Sequence, residues 1–308
     1  MIRPLRHIVS ISGGKDSAVT ALVCRELYGG AAMELVTAET DNEHPITYDY
    51  LRYLEDYFGM PIRRLRNDFT GRIERKRRYV LEVWPTEGVP QDIVNSAAAT
   101  LFPTGTAFLD LCIWKGRFPS RKAQFCTEEL KIVPLLGYQI DLVESGFDVW
   151  SWQGIRADES AHRRYQPEFE QIDDHISIYR PIMRWTAESV FEAHAFCGLK
   201  PNPLYLQGMR RVGCMPCVNC GKDELSEINK RWPEVIERIA EWERLVTLAS
   251  KRRGASFFPA PDDGRGELQG RNIRDRVVWS ATDRGGRQFN LFGDEPTPRC
   301  SSFYQLCE

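Results

Sequence analysis

A short run rich in β-branched residues, His7 to Ser12, stops at Gly13-Gly14 and gives way at once to a helical pattern. Few features restrict a chain more. The run reads as a buried strand, and Asp16 to Tyr28 reads as a helix with Val19, Leu22, Val23 and Leu27 on one face. Gly29-Gly30 ends it. The alternation continues: Met33–Thr40 as a second strand, Ile46–Phe58 as a second helix, and Pro61–Arg66 as a third strand. Strand, helix, strand, helix at this spacing predicts an α/β fold with a doubly wound parallel sheet. Between the first strand and helix lies Ser12-Gly13-Gly14-Lys15-Asp16-Ser17. Two glycines let the backbone turn tightly and present N–H groups to an anion. The helix N-terminus adds partial positive charge there. Lys15 supplies a cation, and Ser12 and Ser17 supply hydroxyls. The spacing is not that of a Walker A loop, which needs four residues between its Gly and Gly-Lys-Ser/Thr.

Further along, Arg72–Arg78 is a basic run inside a helical pattern, read first as a solvated face. Residues 84–125 are rich in Pro, Gly and aromatics and predict either an active-site loop or an inserted subdomain. Asp148–Ile155 is another apolar run, read as a buried strand, and Thr186 is placed as N-cap of a helix reaching Cys197. Glu224–Arg252 is the longest helical pattern, with Pro233 starting a second helix inside it. The tail from 254 to 308 is rich in Gly, Pro and polar residues, with short apolar stretches at Val277–Trp279 and Phe289–Phe292. We divide the chain into a nucleotide-binding α/β domain, 1–200, and a helical, cysteine-rich C-terminal region, 201–308, packed on the first.

The nine cysteines need an explanation. Their number is odd, and no signal-peptide pattern precedes the first strand, so we expect a cytoplasmic protein without a disulfide framework. Cys214, Cys217 and Cys220 fall together, which points to a metal site. Zinc or an iron–sulfur cube would each need a fourth ligand, from Cys126, Cys300 or Cys307. Alternatively Cys214 and Cys217 join Cys300 and Cys307, leaving Cys126 free for chemistry. Cys24 and Cys197 read as core, and Cys112 is open. With 41 Lys and Arg against 43 Asp and Glu, the chain is not a basic wrapper of nucleic acid. No apolar run is long enough to span a membrane.

The Ser12–Ser17 segment resembles the signature loop of the PP-loop ATP pyrophosphatase superfamily, which has an adenine nucleotide alpha hydrolase-like fold. Other segments resemble its branch of phosphoadenosine phosphosulfate (PAPS) reductase-like proteins. Thr40-Asp41-Asn42-Glu43 is similar to an Asp-Thr-Gly-x-Glu-like segment, with Asn42 in place of Gly. Cys126 to Pro134 matches C-T-x-x-L-K-x-x-P, and Gly154 to Arg163 matches G-I-R-x-x-E-S-x-x-R. The likeness continues through Pro203–Tyr205, Arg211–Cys217 and Trp232–Glu234. It ends at Cys300–Glu308, a close typical of phage and mobile-element members. The thioredoxin-dependent reductases carry a C-terminal Glu-Cys-Gly-Leu-His segment that this chain lacks.

The resemblance implies ATP or a related adenine nucleotide at Ser12, Gly13, Gly14, Lys15, Asp16, Ser17, Asp41, Arg156 and Arg163. It implies catalytic roles for Lys15, Asp16, Lys131 and Cys126. Metal ligands would come from Cys214, Cys217, Cys220, Cys300 and Cys307, holding a 4Fe–4S cluster or, as the alternative, zinc. Mg²⁺ is expected with the nucleotide, with Asp16 orienting Lys15 or helping to hold the ion. The expected reaction is adenylation of a substrate oxygen followed by sulfur transfer or reduction. The expected partners are a sulfur-donor or electron-donor protein and a nucleic-acid acceptor, the latter suggested by Arg72–Arg78 and Arg284–Arg287. The alternatives are a true PAPS or adenylylsulfate reductase, or a non-catalytic nucleotide- or nucleic-acid-binding protein with a structural metal.

Overall fold

The computed structural model describes residues 3–160, 163–258 and 272–282. Its first strand, β1 (Leu5–Ser10), leads through the glycine turn into α1 (Lys15–Tyr28). Then follow β2 (Met33–Ala38), α2 (Pro45–Phe58) and β3 (Ile62–Leu65). Three helices come next: α3 (Thr70–Glu82), α4 (Gln91–Thr100) and α5 (Ala107–Lys115). A short helix α6 (Phe125–Thr127) runs through a π-helical turn, Glu128–Ile132, into α7 (Val133–Glu144). The chain returns to the sheet as β4 (Asp148–Trp152), β5 (Phe169–Gln171) and β6 (Ile176–Tyr179), and leaves it as α8 (Ala187–Phe196). Last come α9 (Lys222–Arg231), α10 (Pro233–Ala249) and α11 (Ile273–Ser280).

The six strands lie in the order β3-β2-β1-β4-β6-β5, all parallel but for β5, which runs antiparallel to β6 at the edge. Side chains alternate across it. Val9, Leu35 and Trp152 face α1, α2 and α8, whereas Ile8, Val36, Val149 and Ile176 face Leu135, Tyr138 and Leu142 of α7. Covering both faces explains why these strands read as continuous apolar runs. The doubly wound α/β sheet is as expected, and its winding reverses between β1 and β4.

Several elements differ from the sequence reading. Leu27, expected on the buried face of α1, is 58% exposed and lines an open groove between α1 and α8. Residues 84–125 supply α4 and α5 to a helical core shared with α3, α9, α10 and α11, which makes them an insertion rather than a loop. Strands β5 and β6 were not anticipated: three and four residues show too little alternation to stand out. The break at Pro233 and the N-cap at Thr186, whose hydroxyl accepts from Ser189 N at 3.1 Å, are as read. Phe289–Phe292 lies outside the described residues. No described helix is long and apolar enough to cross a membrane.

Candidate functional site

At the reversal point the carboxyl ends of β1, β2 and β4 open into a cleft of about 980 Å³, the usual place for a ligand in such sheets. Its floor is the glycine turn. Gly13 has φ +74°, a conformation that disfavours side chains, and a Cβ there would come within 2.7 Å of Thr47 Cγ2. The turn is fixed from within: Ser17 Oγ donates to Gly14 O at 2.9 Å and accepts from Ser12 N at 3.1 Å. It is fixed from outside as well. Asn202 Nδ2 donates to Gly13 O at 3.0 Å, Lys15 N donates to Tyr205 Oη at 3.1 Å, and His194 Nε2 lies 3.0 Å from Lys15 O.

Lys15 and Arg156 are both almost fully buried, and Asp16 joins them. Its carboxylate accepts from Lys15 Nζ at 2.8 Å and from Arg156 Nε at 2.5 Å. Arg156 also holds Asp158 through Nη1 at 2.6 Å. Two cations are therefore fixed beside the N-terminus of α1, with one shared carboxylate setting their positions. Each Asp16 oxygen accepts one of these bonds, Oδ2 from Lys15 and Oδ1 from Arg156. Gly154 explains how Arg156 gets so close: a Cβ there would meet the Asp16 carbonyl carbon and Ser17 N at 2.8 Å. Arg163 lies on the cleft rim, paired with Glu159. Asp41 is not brought to the cleft. Its carboxylate caps α5 by accepting from Ala107 N at 2.7 Å and pairs with Arg66 at 2.5 Å, from a left-handed backbone (φ 58°) that aspartate tolerates.

The far end of the same cleft holds Lys131 with Cys126, Cys214 and Cys217. Lys131 projects from the π-helical turn, a kind of irregularity often found at functional sites. Cys214 Sγ lies 3.2 Å from Thr40 Oγ1 and donates to Glu43 Oε1 at 3.8 Å. Glu43 also accepts from Thr40 Oγ1 at 2.6 Å and from Tyr48 Oη at 3.0 Å. Burial pushes the Cys214 thiol up to about 12, against the pull of Lys131, and raises Cys126 as well. Lys131 is itself held above the ordinary lysine value, first by the facing Cys214 and further by Glu43. Cys220 turns away, its Sγ donating to Gly221 O at 3.4 Å. Cys24 and Cys112 are buried in the core, and Cys197 packs at its margin.

Sequence reasoning missed Glu43, Asn42 and Arg238. Asn42, where the resemblance leads one to expect glycine, is fully buried and clamps the cysteine loop. Its Nδ2 donates to Pro216 O at 3.1 Å, its carbonyl accepts from Met215 N at 2.7 Å, and Arg238 donates to both Asn42 Oδ1 and Met215 O. The departure from glycine was the signal available. Among the described residues no three potential ligands converge on a metal. Cys300 and Cys307 lie outside the described residues.

The sequence profile of the phosphoadenosine phosphosulfate reductase domain matches residues 112–220. The chain is 42% identical to the uncharacterized 37.8 kDa protein in the gpa 5′ region of Escherichia phage 186, over 98% of this chain and 96% of that one. The chain belongs to the PAPS reductase-like family of PP-loop proteins, in its phage type. Another relative in the family is the uncharacterized nin region protein ORF290 of Escherichia phage lambda, 28% identical over 60% of each chain. Among solved structures, the chain is similar to the phosphoadenylyl-sulfate reductase of Candida auris in its phosphate complex. That match has 13% identity and a TM-score of 0.41, covering 70% of this chain and 84% of that one.

Proposed function

We propose that the protein is an adenine-nucleotide-dependent enzyme that adenylates an acceptor oxygen and exchanges it for sulfur. The carrying observation is that one cleft is lined at one end by the phosphate loop with Lys15 and Arg156, and at the other by Lys131 with three thiols. The phosphates of ATP sit against Gly14, Lys15 and the N-terminus of α1. The acceptor oxygen attacks the α-phosphorus, the bond to pyrophosphate breaks, and the acceptor proton goes to solvent. Lys15, Arg156 and the loop N–H groups stabilise the charge that develops. A persulfide on one of Cys126, Cys214 and Cys217, its outer sulfur supplied by a donor protein, then bonds to the activated centre as AMP departs. A second of these thiols attacks the cysteine sulfur of the resulting disulfide, releasing the thiolated acceptor and leaving a cysteine disulfide that an electron-donor protein reduces. Arg163 borders the nucleotide on the rim. No step is routed through a metal.

The test measures AMP and pyrophosphate formed from ATP with the full chain and candidate acceptors. Wild type releases both, and Lys15→Ala falls by about 100-fold or more, the scale of losing a charge-stabilising group. No pyrophosphate with any acceptor, together with loop variants that behave like wild type, would sink the reading. The profile match across Cys126 and the cysteine loop favours a second reading, reductive cleavage of a sulfonucleotide. Sulfite release from PAPS with dithiothreitol would select it.

A further inference from the structure

Many surface cations in this protein meet carboxylates, as Arg63 does Glu34, Arg244 does Glu241 and Arg274 does Glu237. Arg117, Arg121, Lys122 and Arg276 are among the cations with no carboxylate partner among the described residues, and they gather in one place. The first three are exposed on the loop between α5 and α6, and Arg276 is half-buried on α11. The two elements meet. Arg121 Nη2 donates to Cys220 O at 3.1 Å, and Arg121 and Arg276 both lie close enough to Cys220 to bear on its thiol. Burial, and then the Arg121 charge, push Arg276 below the ordinary arginine value. The nearby carboxylates do not relieve this crowding: Glu224 is engaged with Cys220 and Gly221, and Asp275 caps α11 at Asn272.

Aromatic rings run between these charges. Arg276 lies 3.9 Å and Lys222 4.9 Å from the Trp279 ring centroid, and Arg117 lies 5.3 Å from that of Phe125. The strip continues into the cleft, because Gln124, which donates to Arg121 O at 3.2 Å, and Asn219, beside Cys220, both line it. Like charges gathered without counter-charges destabilise a fold unless an anion joins them. Cations interleaved with aromatic rings suit a phosphodiester chain.

We propose that this strip binds the backbone of a single-stranded nucleic acid and leads it to the cleft, so that the acceptor of the reaction proposed above is a nucleic acid. The inference rests on that reading for the acceptor role, although strand binding stands apart from it. A single strand is required because a group on a stacked, paired base does not reach a reactive cleft. The basic stretches singled out from sequence are not part of this strip: on α3, Arg72 pairs with Glu129 and Arg77 donates to Ala98 O at 2.9 Å, while Arg75 and Arg78 are exposed without a carboxylate partner among the described residues, and Arg284–Arg287 lies outside the described residues.

The experiment is fluorescence anisotropy of labelled single-stranded RNA and DNA oligonucleotides with the full chain, without nucleotide, across a salt series. Three or four phosphate contacts give a slope of about −2 to −3 in log K against log salt. Arg121→Glu and Arg276→Glu should each weaken binding about tenfold and flatten the slope by about one. Arg244→Glu, a charge reversal at a surface arginine outside the strip and paired with Glu241, should bind the strand like wild type. No binding at low salt, binding unchanged in both charge reversals, or poly-glutamate bound as tightly as the oligonucleotides would overturn the proposal. A protein that binds ATP but no strand removes this inference alone. One that binds the strand but no ATP removes the nucleotide reading alone.

Discussion

Gly154 shows how one missing side chain sets the site. The backbone at Asp16 and Ser17 occupies the space a Cβ would need, and backbone cannot swing aside as a side-chain tip does. Gly154→Ala should therefore displace Arg156 from Asp16, destabilise the protein by about 1–3 kcal/mol and weaken ATP binding. Calorimetric titration and urea unfolding measure the two effects; an alanine variant with wild-type affinity would show that the close packing is not needed. The cysteine loop depends on another such residue. Asn42→Gly removes hydrogen bonds to Pro216 and Arg238, so Cys214 should become more reactive toward a thiol reagent as its loop loosens. Labelling rates followed by mass spectrometry report this residue by residue. At this scale the loop Ser12–Ser17 was legible, because all its members are adjacent. Asn202, Tyr205 and His194, which hold that loop, lie more than 170 positions away; Tyr205 falls in the Pro203–Tyr205 likeness, but nothing local ties any of the three to the loop.

Helix α8 reaches the phosphate loop through Phe191, whose ring lies 5.9 Å from Lys15 Nζ, and through His194. His194 is buried, with Nδ1 3.0 Å from Leu199 O and Nε2 3.0 Å from Lys15 O. Burial pushes its imidazole below the ordinary histidine value, outweighing the two carbonyls, which act to raise it. The sign follows. A histidine depressed in the fold contributes stability that is present above its unfolded value of about 6.5 and is lost as pH falls through its folded value. His7 and His44 are depressed too, so all three act in the same direction. Urea unfolding of wild type should show stability falling from pH 7.5 toward pH 5. His194→Gln should give a flatter profile from a lower start, and an unchanged slope would contradict the assignment. Elements with caps and length, such as α8 and the α9–α10 break, could be read directly. Helix α11 carried a signal that went unused: Asn272 accepts from Arg274 N and Asp275 N, and Asp275 returns the bond, a capping box. The π-helical turn bearing Lys131 left no trace, since its residues suit an ordinary helix equally well.

Among the described residues, apolar clusters pack on both faces of the parallel sheet, and a second core lies among helices drawn from residues 69–130 and from beyond residue 200. Glu243 of α10 secures part of the second. It is 4% exposed and accepts from Phe257 N and Ile273 N, both at 2.8 Å, so one carboxylate ties two distant chain segments to one helix. Glu243→Ala leaves two buried N–H groups without partners and should cost about 2 kcal/mol or more, measurable as a lower urea midpoint with nucleotide binding retained. The local features were legible in the sequence alone: alternating strands and helices, and a glycine turn with a lysine at a helix N-terminus. Hydrophobic period and backbone freedom are properties of neighbouring residues, so they show in the order of the letters. Only the tertiary structure decided which thiols share a cleft with Lys131, that Asp41 caps a helix instead of facing the nucleotide, and that Asn42 and Glu43 organise the cysteine loop. Those outcomes depend on contacts between segments tens to hundreds of residues apart, where packing and burial, not sequence spacing, determine which groups meet.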